Sequence, residues 1–232
     1  MIQTWKRVWD NRRLDPSAGS TLARLMMADG LDTGFGSVSE ANWRAFVRTA
    51  AVELGIAPGD SVFEVGCGAG AFLYDLHERG VTVAGIDQSA TLVVFARDAM
   101  PGGTFAVADA ATFDPGERYD VVVACGVFLY FPNLEYASHV ISRMCQMARR
   151  AVAILDTPDL AKQEAGLALR RASMGPEEYE ARYAGLDHLY YGKEWMRAAL
   201  AGHGLRGVRV DDQRIPGYAN AAYRFNAFGF TK

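Results

Sequence analysis

The chain is most informative first by what it has little of. It has three cysteines, Cys67, Cys125 and Cys145, with no C-x-x-C pair among them. An odd, scattered set is a poor disulfide framework and suits a reducing compartment. The four histidines are dispersed, with no H-E-x-x-H and no Cys/His cluster, so the pattern offers no metal centre. Lys and Arg number 24 against 27 Asp and Glu, a formal charge of −3. No basic stripe stands out, which argues against a nucleic-acid partner, because phosphate binding needs clustered cations. No apolar run is long enough to span a bilayer. The start, MIQTWKRVWDNRR, lacks the apolar stretch of a secretory leader. These absences together lead us to expect a cytoplasmic protein with neither nucleic acid nor membrane as partner; as to assembly, we expect a monomer or homodimer.

Half of the 232 residues are apolar, enough for one full core. Residues 1–37 carry no sustained period, although Trp5, Val8 and Trp9 suit one face of a short helix. DGLDTGFGS (29–37) reads as a loop. A helix capped at Ser37 or Ser39 and running to about Leu54 precedes the turn Pro58-Gly59-Asp60. Short apolar runs then alternate with helical stretches. SVFEV (61–65), VTVAGID (81–87), TFAVAD (104–109), YDVVVACG (119–126) and AVAILD (151–156) read as strands, with helices over 70–79, 90–99 and 133–148 between them. This alternation predicts an α/β fold with a doubly wound, mostly parallel sheet. After Asp156 the rhythm breaks. Helices near 160–173 and 193–201 precede two late strands, near 205–212 and 221–230, suited to an antiparallel pair. We therefore divide the chain into an N-terminal cap (1–38) and a main domain (39–232) with an inserted lid (157–204).

The richest motif is Glu64-Val65-Gly66-Cys67-Gly68-Ala69-Gly70, between the first strand and its helix. Glycines there let the backbone turn sharply and approach a ligand. At the ends of the next two strands, Asp87 is placed to accept ribose hydroxyls and Asp109 to reach an adenine amine. Each also reads as a turn or cap carboxylate, but three such signals at successive strand ends reinforce one another. Gly66, Gly68 and Ala71 also satisfy the G-x-G-x-x-G/A pattern of nicotinamide dehydrogenases. Glu64 two residues before the first glycine, the Asp109 match and the lack of a second substrate domain weigh against that reading.

On FEVGCGAG, GIDQS, VADA and YDVVVACGVFLYF the chain resembles the class I S-adenosylmethionine (SAM)-dependent methyltransferases, over about residues 40–156. The resemblance implies a Rossmann-like, seven-stranded sheet whose last strand is inserted antiparallel, with SAM as the cofactor. It implies that Glu64, Gly66, Cys67, Gly68 and Gly70 surround the methionine part, that Asp87 and Gln88 hold the ribose side, and that Asp109 and Ala110 face the adenine. Cys125 would offer backbone near the methionine amine. EVGCGAGAFL, HLYYGKEW and GYANAAYRFN further resemble bacterial methyltransferases of polysaccharide and natural-product pathways.

Acceptor residues are expected from the fourth and fifth strand ends and the lid. His188 is the leading candidate base, because its unperturbed pKa lies near neutrality and Asp187 is adjacent in sequence. A lid histidine bonded to backbone is the competing reading. Tyr130, Tyr190 and Tyr191 can line an aromatic pocket near the sulfonium, or simply pack. Trp5 and Trp9 can close over the cofactor or anchor the terminus. Asn220 and Arg224 can reach a polar or acidic acceptor, or serve edge-strand hydrogen bonding and surface charge, the reading that better suits Arg224. His139 reads as solvated, and Cys67 and Cys125 as packing groups. Three functions follow: methyl transfer to O, N or, less readily, C; attack on the aminobutyryl chain, as in cyclisation to azetidine-2-carboxylate with release of methylthioadenosine; or SAM binding without catalysis.

Overall fold

The computed structural model describes residues 2–15, 17, 19–32, 36–114 and 116–231. Residues 33–35 of the expected 29–37 loop lie outside them. The described residues form seven strands: β1 (Ser61–Val65), β2 (Thr82–Asp87), β3 (Thr104–Val107), β4 (Tyr119–Cys125), β5 (Ala148–Pro158), β6 (Arg206–Asp212) and β7 (Arg224–Phe230). They also form nine α-helices: α1 (Ile2–Asp10), α2 (Thr21–Ala28), α3 (Glu40–Glu53), α4 (Ala71–His77), α5 (Ala90–Ala99), α6 (Leu134–Met147), α7 (Gln163–Met174), α8 (Pro176–Tyr183) and α9 (Lys193–Gly202). The strands make one sheet in the order β3-β2-β1-β4-β5-β7-β6. The first five are parallel, and β7 runs antiparallel between β5 and β6. The order reverses between β1 and β4. At such a switch point neighbouring connections leave on opposite faces and open a crevice at the strands' carboxyl ends.

Alternation along the strands fills both faces. Val62, Val83, Val121, Val123, Ala153 and Leu155 meet Trp43, Leu73 and Leu92 of α3, α4 and α5 on one side. Phe63, Ile86, Val122, Val152 and Ile154 meet Ile141 and Met144 of α6 and Met196 and Leu200 of α9 on the other. Each such side chain contributes about 1.5–3 kcal/mol by leaving water. Truncating Leu73, which is fully buried, to alanine would cost about 2–5 kcal/mol. Polar caps start α3, α5 and α6. The Ser39 hydroxyl accepts from Asn42 N (3.2 Å), Ser89 from Leu92 N (3.3 Å) and the Asn133 amide oxygen from Tyr136 N (2.8 Å). Such caps are worth about 1 kcal/mol each.

Two expectations need revision. The region before residue 38 is more regular than its pattern suggests: it contains α1 and α2, and α1 packs on α5 while α2 packs on α3, α4 and α5. The stretch after α7 that reads as polar and aromatic holds a further helix, α8. Its charge-rich sequence, PEEYEARY, has too weak a stripe for periodicity to find it.

Candidate active site

The crevice at the switch point is a cavity of about 510 Å³, within the usual range for a small-molecule site. One end of it is acidic. Gly66 and Gly68 hold positive φ, and a Cβ on Gly66 would overlap Val127 while one on Gly68 would overlap the Asp29 carboxylate. The loop is thus packed to backbone contact on both sides. Asp87 accepts from Gly68 N (3.0 Å) and from Ser89 N (2.8 Å), so one carboxylate ties the glycine loop to the start of α5. Asp29, at the end of α2, accepts from Ala69 N (2.6 Å) and Ala71 N (3.0 Å). It caps α4, whose own N-cap residue, Gly70, has no side chain to do so.

Burial pushes Asp29 up to about 7 against the pull of those two amides, with Asp87 adding to the rise. Glu64 is driven well upward by burial, then by Asp29 and Asp87. Burial also raises Asp87. One oxygen of Glu64 is buried with no hydrogen-bond partner among the described residues. A cavity end with three desolvated carboxylates and an unsatisfied acceptor fits a ligand that brings its own positive charge and N–H or O–H donors.

The other end is aromatic and cationic. A break in the β5–β7 register between Ile154 and Thr157 leaves Asp156 at φ 57°, a bulge that points its carboxylate into the cavity. Asp156 forms a buried ion pair with Arg224 and accepts from Tyr218 Oη (2.9 Å). Asn226 Oδ1 accepts from Asp156 N (2.9 Å) and bonds Gln213, holding the bulge in place. Arg224 is therefore buried ionic structure, not the surface charge its sequence suggests. The Trp5 ring stacks on His188 (4.9 Å between centroids) and lies 4.7 Å from Tyr130, while its Nε1 donates to Asp187 O (3.1 Å). Arg170 Nη1 donates to His188 Nδ1 (3.2 Å), and Nη2 donates to Asn220 Oδ1 (3.1 Å).

Among the residues singled out by sequence, Glu64, Gly66, Cys67, Gly68, Asp87, Gln88, Asp109, Ala110, Cys125, Tyr130 and His188 all line this cavity. Three others do not. Gly70 faces α5, where a Cβ would strike Met100 and Ala96, so its absence of side chain serves helix packing. Tyr191 is fully buried and donates to Phe128 O (2.8 Å), which makes it a core residue. Tyr190 lies off the wall as well. Asp109 stands at the exposed rim, accepting from Ala111 N (2.9 Å) and Tyr136 Oη (3.0 Å). Among the described residues the Asp187 carboxylate makes no pair with His188, and its backbone oxygen accepts from Trp5. Reading the sequence missed Asp29, Arg12 and Arg170. Their contacts join segments far apart in the chain, and no local spacing announces them.

Residues 62–151 match the family model described as a methyltransferase domain. This stretch is a methyltransferase domain. Over 76 residues, 32% of this chain and 30% of the relative, it is 40% identical to a trans-aconitate 2-methyltransferase of Rhizobium rhizogenes. A trans-aconitate 2-methyltransferase of Agrobacterium fabrum is 29% identical over 115 residues, 49% of this chain and 44% of that protein. The chain thus spans less than half the length of these curated relatives. Among solved structures, magnesium protoporphyrin IX methyltransferase from Synechocystis with bound SAM superposes with a TM-score of 0.64 at 20% identity, covering 100% of this chain and 98% of that one. The N-methyltransferase NodS from Bradyrhizobium japonicum with S-adenosylhomocysteine gives 0.60 at 17%, over 91% and 96%. At such identities these two share the overall fold with this chain. The match ends at residue 151, so α7, Asp156 and Arg224 lie outside it.

Proposed function

We propose that the chain transfers the methyl group of SAM to an oxygen or nitrogen of a small molecule held at the aromatic, cationic end of the cavity. The observation that carries this reading is the charge division within one cavity: three carboxylates at the glycine-loop end, guanidinium and aromatic groups at the other. SAM supplies an electrophilic methyl on a sulfonium that is its own leaving group.

The residues around it do the rest. Asp87 accepts the ribose hydroxyls, and Gln88, Asp109 and Ala110 border the base. Asp29 and Glu64 present carboxyl groups to the positive end of the methionine portion. Cys67 and Cys125 offer backbone there, since burial raises both thiols well above their usual range and keeps them protonated. Trp5, Tyr130 and His188 shape the opposite wall and exclude water. Burial raises Tyr130 to about 12 and lowers His188 to about 3, with Arg170 and Arg224 also opposing a proton on the imidazole. Arg170 always donates, so His188 Nδ1 is an acceptor and its N–H is on Nε2. We infer that His188 and Tyr130 position the acceptor and do not deprotonate it. The acceptor then enters in its nucleophilic form, and alignment supplies the rate, a contribution that reaches about 7–11 kcal/mol in well-oriented reactions.

The resemblance to natural-product and saccharide methyltransferases supports an acceptor among small metabolites. Incubating the protein with methyl-labelled SAM and a metabolite panel, then identifying the nucleoside released, tests the reading. S-adenosylhomocysteine with a labelled acceptor is the expected result. Methylthioadenosine would mean attack on the aminobutyryl chain, and tight binding without turnover would mean a SAM-binding partner.

A further inference from the structure

Among the described residues three guanidinium groups line the cavity, those of Arg12, Arg170 and Arg224. Arg224 is paired with Asp156, and Arg12 faces Asp32 at 3.7 Å. Arg170 differs. It is only 9% exposed, yet both its bonding partners, His188 and Asn220, are neutral. No carboxylate among the described residues pairs with it. A charge removed from water without a counter-ion is costly, and folded proteins rarely leave one so.

The surroundings suit a missing anion. His188 and Asn220 take two of the five guanidinium N–H groups and fix the plane of the fork, leaving three donors. Each partner is itself held. His188 stacks on Trp5, whose indole is anchored on Asp187 O. Asn220 belongs to the short helical turn before β7. Trp5 and Tyr130 exclude water beside the site, which strengthens an ionic contact there.

We propose that Arg170 is the anchor for a carboxylate of the acceptor, with Asn220 and His188 as positioning residues that aim its guanidinium. We assign this carboxylate as a handle distinct from the group methylated, because charge-assisted bonds to a guanidinium lower the nucleophilicity of its oxygens. The acceptor is therefore a small molecule bearing one anionic carboxylate as a handle and a separate nucleophile. The inference rests on the methyl-transfer reading for what the second group does, but not for the anion site itself.

The test is calorimetry on the protein saturated with S-adenosylhomocysteine, using trans-aconitate, succinate and benzoate against succinamide and benzamide. At least one carboxylate should bind about tenfold or more tighter than the amides, and less tightly as salt rises. Arg170→Gln should lose about ten- to a hundredfold of that affinity while its affinity for S-adenosylhomocysteine stays unchanged, and Arg170→Lys should recover part. Equal binding of carboxylates and amides, no carboxylate binding at all, or unchanged binding by Arg170→Gln would each overturn the proposal. If that variant does not fold, the carboxylate–amide comparison on the unaltered protein decides. Should the protein not bind S-adenosylhomocysteine, the methyl-transfer reading fails, and the same titration without nucleoside still decides on Arg170.

Discussion

The two ends of the cavity are built from different material. The acidic end is made where successive parallel strands stop: Glu64 on β1, Asp87 ending β2, Asp109 just past β3, with the glycine loop between. Its geometry follows from the backbone, and its charges repel one another. The cationic end is made by side chains reaching across the fold, from α1, α7, the 187–191 segment and β7. There opposite charges are paired and buried. The first end is thus poised to gain stability from a ligand, while the second already holds an ion pair and keeps one guanidinium in reserve.

The largest way to break this comparison is to strike the paired end. In Asp156→Asn the backbone should survive, because asparagine tolerates the positive φ that Asp156 adopts. The loss is then electrostatic: Arg224 stays buried, with the backbone oxygen of residue 156 as its remaining bond there. Removing one partner of such a pair costs about 3–5 kcal/mol. Denaturant titration should show it. A change near zero would mean that the pair is solvated and that the two ends do not differ as argued.

The next largest effect belongs to the acidic end. Asp87→Ala should weaken SAM binding by about a hundredfold, the scale of two charge-assisted hydrogen bonds less what water restores. Calorimetry measures it. Unaltered affinity would show that the ribose lies elsewhere. Because Asp87 also accepts from Gly68 N and Ser89 N, a parallel denaturant titration separates the lost ribose contact from any loss of fold.

The comparison also explains what the sequence could disclose. Strands β1, β2, β4 and β5 are legible as apolar runs because a strand buried on both faces has no room for polar residues. Asp87 is legible because its place at a strand end is fixed once the strand is. The cationic end is not, since Arg170 meets His188 18 residues away and Asn220 50 away. A glycine motif likewise does not say which way each missing side chain would point. Gly66 and Gly68 line the cavity with their missing side chains directed at Val127 and Asp29, whereas that of Gly70 is directed at Met100 on the helix side. In the Tyr190-Tyr191 pair, Tyr191 goes to the core.

A subtler probe separates the ends by pH. Asp29 lies near 7 in the free protein, raised mainly by burial and pushed the same way by Asp87. A carboxyl whose folded value is above its unfolded one favours the fold at low pH, so this contribution is lost as pH rises from about 4 through about 7. A cationic ligand reverses the preference by drawing off the proton. SAM affinity should therefore increase between about pH 6 and pH 8, by up to about tenfold, with proton release seen in buffers of different ionisation enthalpy. Asp29→Asn should flatten that profile. A flat profile in the unaltered protein would place the positive charge away from Asp29.

The smallest expected effect is at His188, and it bears on whether the cationic end acts by position or by proton transfer. Burial and the nearby Arg170 and Arg224 hold the imidazole near 3, so it stays neutral in the folded protein while the unfolded chain takes a proton near 6.5. The folded state therefore loses stability as pH falls through about 6.5, and His188→Phe, which keeps the stack on Trp5, should lessen that loss. In catalysis the same substitution removes only the acceptor that aims Arg170. It should raise KM for an acidic acceptor severalfold and leave kcat nearly unchanged, with no inflection near pH 6.5 in either protein. A general base would behave otherwise, since its removal lowers kcat by about 10²–10⁴. A fall of that size would return His188 to the role its place in the sequence first suggests, and would make the cationic end the reactive one.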